Sequence, residues 1–269
     1  MSFVDDSAMF SRTARITGPM TPDDTRRLAG AGYEGVLLDH GAGDAASDLR
    51  WIADVPSLRF VEVTGKIATP SLAVLEGTSV RSLIVSTNQA RPVPTEDLHW
   101  AEHIHSESFG FAAGGWVGLP RLGNLVLGRV AGETVTAGDG CAALTSLTLQ
   151  GKGQTFLFEW ESPPAKLERM HLIRLRCREV TAVSACRALR SLHIDNSAVL
   201  TGGEVLDVSP LAGLPDLDSL GIAENLPMRG VPRLLESRAP FGWLPVAKGL
   251  HDGDPAHPRL REFVYRTTT

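Results

Sequence analysis

Apolar residues recur along most of the chain in one frame: an apolar position, two free positions, an apolar position, one free position and a last apolar position. The clearest copies read Leu189-x-x-Leu192-x-Ile194 and Leu217-x-x-Leu220-x-Ile222, where x is a free position. Recurrence at a nearly fixed spacing is the signature of repeat architectures, in which each unit packs mainly against its neighbours. The pattern therefore predicts a solenoid.

Seven further copies precede these two, and one follows them. From the first copy to the one at Leu217, the starts lie 25, 22, 18, 24, 22, 23, 22 and 28 residues apart. The shortest interval falls at the copy that starts at Leu98. The other copies read Tyr33-x-x-Val36-x-Leu38, Leu58-x-x-Val61-x-Val63, Val80-x-x-Leu83-x-Val85, Leu98-x-x-Ala101-x-His103, Leu122-x-x-Leu125-x-Leu127, Leu144-x-x-Leu147-x-Leu149, Leu167-x-x-Met170-x-Leu172 and, last, Leu260-x-x-Phe263-x-Tyr265.

This pattern divides the chain into three parts. Residues 1–32 form an N-terminal cap, in which Thr21 is placed to cap a helix, Pro22 to begin it and Gly30 and Gly32 to end it. Residues 33–225 are the repeat array, and residues 226–269 are a degenerate repeat with a C-terminal cap. Most connections within the array are too short for more than a turn, and the connection that best fits a helix spans residues 44–53.

One stretch carries a resemblance to a known family. Residues 208–222 read Val-Ser-Pro-Leu-Ala-Gly-Leu-Pro-Asp-Leu-Asp-Ser-Leu-Gly-Ile, which resembles the short repeats of bacterial, internalin-type leucine-rich repeat proteins. The resemblance covers residues 33–265. It implies an α/β fold: a curved solenoid with a parallel β-sheet on its concave side and short helices, turns or loops on its convex side.

The frame also predicts which residues face outward. The fourth and sixth positions point into the core, so the third, fifth and seventh positions lie on the opposite face of each strand. This concave face carries large apolar side chains beside charged ones, as protein interfaces do, and a partner protein is expected to bind there. The predicted binding residues are Phe60, Glu62, Ile84, Trp100, Glu102, Asn124, Thr148, Arg169, His171, His193 and Asp195.

Composition narrows the choice of partner and compartment. The net charge of −5 provides no basic surface for nucleic acid or for an anionic membrane, so neither is expected as a partner. No run of residues has the length and apolar character of a membrane span, and the N-terminal residues lack the pattern of a signal peptide. Cys141, Cys177 and Cys186 form no Cys-x-x-Cys pair, so buried thiols and a cytoplasmic location are expected.

His171 and His193 are candidates for chemistry. Equivalent positions of neighbouring strands lie about 5 Å apart, so these two side chains are expected side by side, with Arg169 and Asp195 next to them. Such a cluster is compatible with a pH-sensitive contact, a catalytic or metal site, or the polar part of a binding face. The commoner of these is a polar stripe that contacts a partner.

The densest histidine run comprises His99, His103 and His105. On a strand, His103 and His105 share one face and, with Glu107, form a workable set of metal ligands. Three histidines alone are a weak pattern, and no second group of ligands follows nearby. We therefore predict neither a metal nor a cofactor.

Two other functions stay open. One is a parallel β-solenoid enzyme acting on a glycan through acids such as Glu62, Glu102 or Asp195, although glycosidases need a close pair of carboxylates. The other is a self-associating structural module. Because the sequence contains no recognised nucleophile or metalloprotease motif, we predict no catalytic residue and prefer protein binding.

Overall fold

A computed structural model describes residues 3–5, 12–39, 48–65, 71–87, 95–107, 118–128, 130, 134–137, 141–160, 162–177, 179–195, 206–222, 228–230 and 233–234. These residues form an α/β structure with a mostly parallel sheet and few helices, which confirms the α/β class and the parallel sheet of the prediction. The chain divides into two compact units, Met1–Gly128 and Arg129–Thr269, called unit 1 and unit 2 below. Within the described residues, no helix has the length and apolar character that crossing a membrane requires.

Unit 1 is built on one sheet whose strands lie side by side in chain order. The first two strands are antiparallel, and every later strand runs parallel to the one before it. The strands are β1 (Phe3–Asp5), β2 (Thr13–Ile16), β3 (Gly35–Leu38), β4 (Phe60–Gly65), β5 (Ser82–Thr87), β6 (His103–Ser106) and β7 (Asn124–Leu127).

The helix predicted in the N-terminal cap is confirmed. Helix α1 (Pro22–Ala31) connects β2 to β3, and the Thr21 hydroxyl accepts a hydrogen bond from the backbone N–H of Asp24. Gly32 ends the helix with φ of 68°, a left-handed conformation that glycine adopts without steric cost. These caps are the reason why the helix begins after Thr21 and ends before Gly32, as predicted, whereas Gly30 lies within it.

The sheet extends further toward the N-terminus than the predicted repeat array. In β2, Ala14 and Ile16 pair in register with Val36 and Leu38 of β3 and are fully buried. They therefore occupy the fourth and sixth positions of one more copy of the frame. The first position of that copy would be Ser11, a polar residue, which is why the pattern alone does not mark it.

Three of the other described connections of unit 1 contain short 3₁₀ helices, and residues 118–123 before β7 contain turns. The 3₁₀ helices span Arg50–Asp54, Ala73–Leu75 and Thr95–Leu98. The described end of the helix predicted over residues 44–53 is thus a 3₁₀ helix, with Ile52 buried, and residues 40–47 lie outside the described part. A single short turn suffices because each connection has to bury only a few apolar side chains.

Unit 2 contains a sheet of parallel strands equivalent to those of unit 1 and a second layer of shorter strands. The first sheet comprises β9 (Ser146–Gln150), β11 (Arg169–Ile173), β13 (Ser191–Asp195) and β15 (Ser219–Ile222). The second layer comprises β8 (Thr134–Ala137), β10 (Thr155–Trp160) and β12 (Arg176–Cys177), followed by the pair β14 (Leu206–Asp207) and β16 (Met228–Arg229).

The second layer departs from the predicted connections of helices, turns or loops. Its longest strand, β10, contains one threonine and three aromatic residues in six positions. Such residues favour extended backbone because they fit a pleated, half-buried surface. The other described connections of unit 2 include 3₁₀ helices over Val183–Ala185 and Ser209–Gly213.

The frame positions predicted to form the core are buried. Leu147, Leu192 and Leu220, which occupy the fourth position in good copies, have no exposed surface, as predicted. Stacking such side chains on their counterparts in adjacent strands removes apolar area from water, at about 25 cal/mol per Å². Other inward residues of the strands are at most 2% exposed: Val36, Leu38, Val61, Val63, Leu83, Val85, Leu125, Leu127, Leu149, Met170, Leu172 and Ile194.

One copy of the frame is misplaced by three residues. The register of β6 pairs Ile104 with Leu83 and Ser106 with Val85, so the fourth and sixth positions are Ile104 and Ser106. The copy therefore starts at Ala101 and not at Leu98. This start lies 21 residues from Val80 and 21 from Leu122, which removes the shortest interval in the series.

The cysteines are buried thiols, as predicted. Cys141, Cys177 and Cys186 are each at most 4% exposed. Burial in apolar surroundings raises the pKa of Cys177 and that of Cys186 to about 12, because a thiolate there would lose its hydration. Both thiols are therefore protonated and unreactive in the folded chain.

The C-terminal predictions fall mostly outside the described residues. The frame copy at Leu260 lies entirely outside them, and within residues 226–259 only 228–230 and 233–234 are described. Of these, Met228 and Arg229 belong to β16, and Leu234 is fully buried. The degenerate repeat and the C-terminal cap stay predictions.

Candidate binding face of the sheet

The outward side of each sheet, called its sheet face here, is set by the frame. Side chains alternate along a strand, so the third, fifth and seventh positions share the face opposite the core. In unit 1 the sheet face comprises Thr13, Arg15, Gly35, Leu37, Asp39, Phe60, Glu62, Thr64, Ser82, Ile84, Ser86, His103, His105, Glu107, Asn124, Val126 and Gly128. In unit 2 it comprises Ser146, Thr148, Gln150, Arg169, His171, Ile173, Ser191, His193, Asp195, Ser219 and Gly221.

Phe60 is the largest apolar side chain on the sheet face of unit 1. Its register partner on the neighbouring strand is Gly35. A Cβ atom added to Gly35 would lie 1.9 Å from Cζ of Phe60, so the ring occupies the space that a side chain would otherwise fill. The ring is half-buried by this contact and keeps part of its surface open to a partner. Phe60 thus lies where the sequence predicts it.

A row of alternating apolar and polar side chains crosses the same face. Leu37, Glu62, Ile84, His105 and Val126 are register partners on five successive strands, and each is half-buried. The Glu62 carboxylate therefore lies between two apolar side chains. Apolar surface interrupted by a few charged groups is typical of protein-binding surfaces.

The histidines of β6 share the sheet face, as their spacing predicts. His105 Nε2 lies 3.8 Å from Glu107 Oε1, and the Ser86 hydroxyl donates a hydrogen bond of 3.4 Å to Glu107 Oε2. His103 is exposed on the same face, whereas His99 lies in the preceding turn. No three His, Cys, Asp or Glu side chains in the described part of the chain are arranged to hold a metal ion. The metal-binding alternative therefore gains no support.

Trp100 is not on the sheet face, and its predicted outward position is wrong. The side chain is 2% exposed. Its indole N–H donates hydrogen bonds to the carbonyl of Leu72 at 3.0 Å and to that of Asp97 at 2.7 Å. The indole thus joins two successive connections on the side opposite the sheet face, so it is a core residue and not a binding residue.

Glu102 is also displaced by the corrected frame. It precedes β6 at the second position of its copy, and not at the fifth position of a strand. Its Oε1 lies 3.4 Å from Nε of Arg81, and both side chains are partly exposed. Of the acids considered for a glycan-acting enzyme, Glu102 therefore lies off the face, while Glu62 and Asp195 belong to different units.

The sheet face of unit 2 brings the predicted histidine pair together. His171 and His193 are register partners on β11 and β13, and their ring centroids lie 4.5 Å apart in an edge-to-face arrangement. Burial lowers the pKa of His171 first of all, the neighbouring charge of His193 lowers it further, and Asp195 acts in the opposite direction. A positive charge on His171 is costly here because burial removes part of its hydration and a charge on His193 repels it.

The lowered pKa of His171 predicts how stability depends on pH. The unfolded chain binds this proton more readily than the folded chain, so the free energy of unfolding is unaffected above the ordinary pKa of 6.5 and falls as the pH drops toward the lowered folded value. In urea titrations between about pH 7.5 and pH 5, His171→Gln should lose less stability than the original chain. His99→Gln, at an exposed turn, should keep the original slope. Identical slopes for the original chain and His171→Gln would contradict the prediction.

The remaining predicted residues lie on the face as expected. Ile84, Asn124 and Thr148 are half-buried at outward positions. The predicted set omitted His103 and His105 because the frame copy was placed three residues too early. Ile104 is the residue that identifies the two histidines as outward-facing. It is buried and pairs with Leu83, so its neighbours His103 and His105 lie on the opposite face of β6.

No family model matches the chain, and no curated protein matches it. The sheet faces described above are therefore the basis for inferring its function.

Proposed function

We propose that the chain is a leucine-rich repeat protein that binds a partner protein through its sheet face, which in that family's fold is concave. The repeated burial of the fourth and sixth frame positions supports the family, since each strand repeats the same inward pair. The three buried thiols favour a reducing, cytoplasmic setting. Neither nucleic acid nor a membrane is proposed as a partner.

The observation that carries the proposal is the position of Phe60. An aromatic ring held on Gly35, half open to solvent and next to Glu62 and Ile84, is already ordered before a partner arrives. Aromatic side chains of this kind supply contact area at low cost in conformational entropy. On unit 2, the exposed Arg169 is the equivalent anchor, because arginine combines apolar contact with several hydrogen-bond donors.

The test begins with capture of partners from the native host by the intact chain and their identification by mass spectrometry. The affinity of each captured protein is then measured for Phe60→Ala and Arg169→Ala. Loss of a true interface anchor should weaken binding by about 2 kcal/mol or more, near thirtyfold. Circular dichroism at the assay temperature verifies that each variant is folded.

Val74→Ala is the matched control. Val74 is 37% exposed in the 3₁₀ helix Ala73–Leu75, on the connection side of the coil, so the substitution also truncates an exposed apolar side chain. The affinity of the partner for Val74→Ala should stay within about twofold of its affinity for the unsubstituted chain. If Phe60→Ala and Arg169→Ala both bind normally while Val74→Ala does not, the connections are the binding surface and the sheet face is not. Recovery of a second copy of the chain alone would favour a self-associating module.

A further inference from the structure

A cluster of hydrogen-bond donors lies on the sheet face of unit 2 around Arg169. In the register of the sheet, Arg169 of β11 has Ser146 of β9 on one side and Ser191 of β13 on the other. Two positions along the strands, His171 has His193 as its neighbour. Adjacent strands are about 4.8 Å apart and same-face residues of one strand about 6.6 Å apart, so these side chains border one small area.

The side chains of this cluster are suited to an anion. Arginine presents a planar fork of N–H donors, serine hydroxyls donate one hydrogen bond each, and a protonated imidazole donates from both nitrogens. Arg169 is exposed and makes no ion pair with any residue in the described ranges. His171 and His193 are half-buried, so hydrogen bonds made there are only partly weakened by competing water.

The charged groups around the cluster leave it with little charge at neutral pH. On β13, Asp195 faces the histidines, and on β11 the only charged residue is Arg169. The face positions of β9 and of β15 carry no titratable group. Of the exposed residues one position before β11, β13 and β15, Glu168 and Asp218 are acidic and Arg190 is basic. Protonation of each histidine therefore adds one positive charge directly beside Arg169.

We propose that this cluster is a proton-dependent site for a tetrahedral oxyanion, of the phosphate or sulfate class, held by Arg169, His171 and His193. The anion would neutralise the two imidazolium charges that otherwise repel each other at 4.5 Å between ring centroids. Ser146 and Ser191 flank the guanidinium and supply further donors. The ligand is either a free phosphate ion or a phosphorylated side chain of a partner.

Binding and protonation must reinforce each other. An anion that prefers the protonated pair favours uptake of protons by the site, and by the same linkage a lower pH strengthens anion binding. Sulfate is the suitable probe for this linkage because its charge does not change between pH 5 and pH 8, whereas phosphate itself titrates in that range with a pKa of about 6–7. Any pH dependence of sulfate binding then belongs to the protein.

The experiment is a sodium sulfate titration of the full chain, followed by the imidazole NMR signals at constant ionic strength set with sodium chloride. Saturable shifts of His171 and His193 are expected, with the dissociation constant about tenfold lower at about pH 5.5 than at about pH 7.5. Signals of His103, an exposed histidine of unit 1, serve as the internal reference and should not saturate. Equal, non-saturating shifts of all three histidines would overturn the proposal.

Variants distinguish specific sulfate binding at this cluster from nonspecific attraction to positive charge on the protein. Arg169→Gln and His193→Gln should each weaken sulfate binding about tenfold, whereas Arg187→Gln, which removes an exposed guanidinium outside the face, should leave it unchanged. Backbone NMR spectra of each variant establish that the sheet is intact. Equal losses in all three variants would mean nonspecific screening and would refute the site.

Two further titrations at about pH 6 distinguish the sources of the oxyanion. A phosphoserine tripeptide that binds more tightly than inorganic phosphate assigns the site to a phosphorylated side chain, and the reverse order assigns it to the free ion. The unphosphorylated tripeptide should not bind. The probes are free ions and peptides, so they test the oxyanion site independently of any partner protein. If neither phosphate probe binds, the oxyanion site is refuted, whereas the proposed partner binding through Phe60 is unaffected.

Discussion

Replacing Trp100 by alanine should lower the free energy of unfolding by about 3–5 kcal/mol. The indole is 2% exposed, so its removal leaves a cavity of aromatic size. It also leaves the carbonyls of Leu72 and Asp97 without the indole donor that reaches them at 3.0 and 2.7 Å. The loss is measured from the urea dependence of the far-ultraviolet circular dichroism signal.

Two companion variants of Trp100→Ala separate volume from hydrogen bonding. Trp100→Phe keeps much of the ring volume but lacks the N–H group, so its loss should be smaller than that of the alanine variant. His99→Ala changes the exposed neighbour and should stay within about 0.5 kcal/mol of the original chain. An unchanged urea midpoint for Trp100→Ala would place the indole outside the core and return it to the candidate binding residues.

Leu192→Ala should cost about 2–5 kcal/mol of folding free energy. Leu192 is fully buried in the middle of the unit 2 sheet, where its register partners are Met170 and Leu220. The cavity therefore removes contacts with two adjacent strands at once. Urea denaturation gives the loss, and Ser191→Ala, one residue earlier on the outward face, is the matched control with an expected change within about 0.5 kcal/mol. A loss below half a kcal/mol for Leu192→Ala would show that the frame is misassigned there.

Most of the core and the strand positions follow from the sequence, because burial at the fourth and sixth positions requires apolar side chains there. The predicted frame is wrong where that requirement is relaxed. At β6 the sixth position is Ser106, a small polar residue that is fully buried, so the correct frame lacks an apolar residue. Leu98 and Ala101 have the spacing of the first and fourth positions and offered a false alternative.

The candidate site was predictable only as far as the frame is correct. Where the frame holds, it places Phe60, His171 and His193 on the sheet face, and the histidine pair is in contact as expected. The predicted outward position of Trp100 is wrong because a large aromatic residue next to polar residues is compatible with both the surface and the core. Its place was decided by carbonyl groups of Leu72 and Asp97, whose positions depend on tertiary structure.

The second strand layer of unit 2 was beyond sequence reasoning for a related reason. Strands such as β12 and β14 have only two residues each, too few for any periodicity to register. They form because a neighbouring strand offers a backbone to pair with, as β10 does for β12. Such pairing is specified by the neighbouring strand and not by the local residues.

The contact of the Phe60 ring with Gly35 has a consequence for how this surface can change during evolution. Because the ring fills the space in which a Cβ atom at position 35 would lie, a side chain gained at position 35 requires the ring to move or a smaller residue at position 60. The reverse does not hold, since glycine at position 35 leaves room for any smaller residue at position 60. The two neighbouring strands therefore share one space on the face, and a large side chain can be carried by only one of them while the core beneath stays the same.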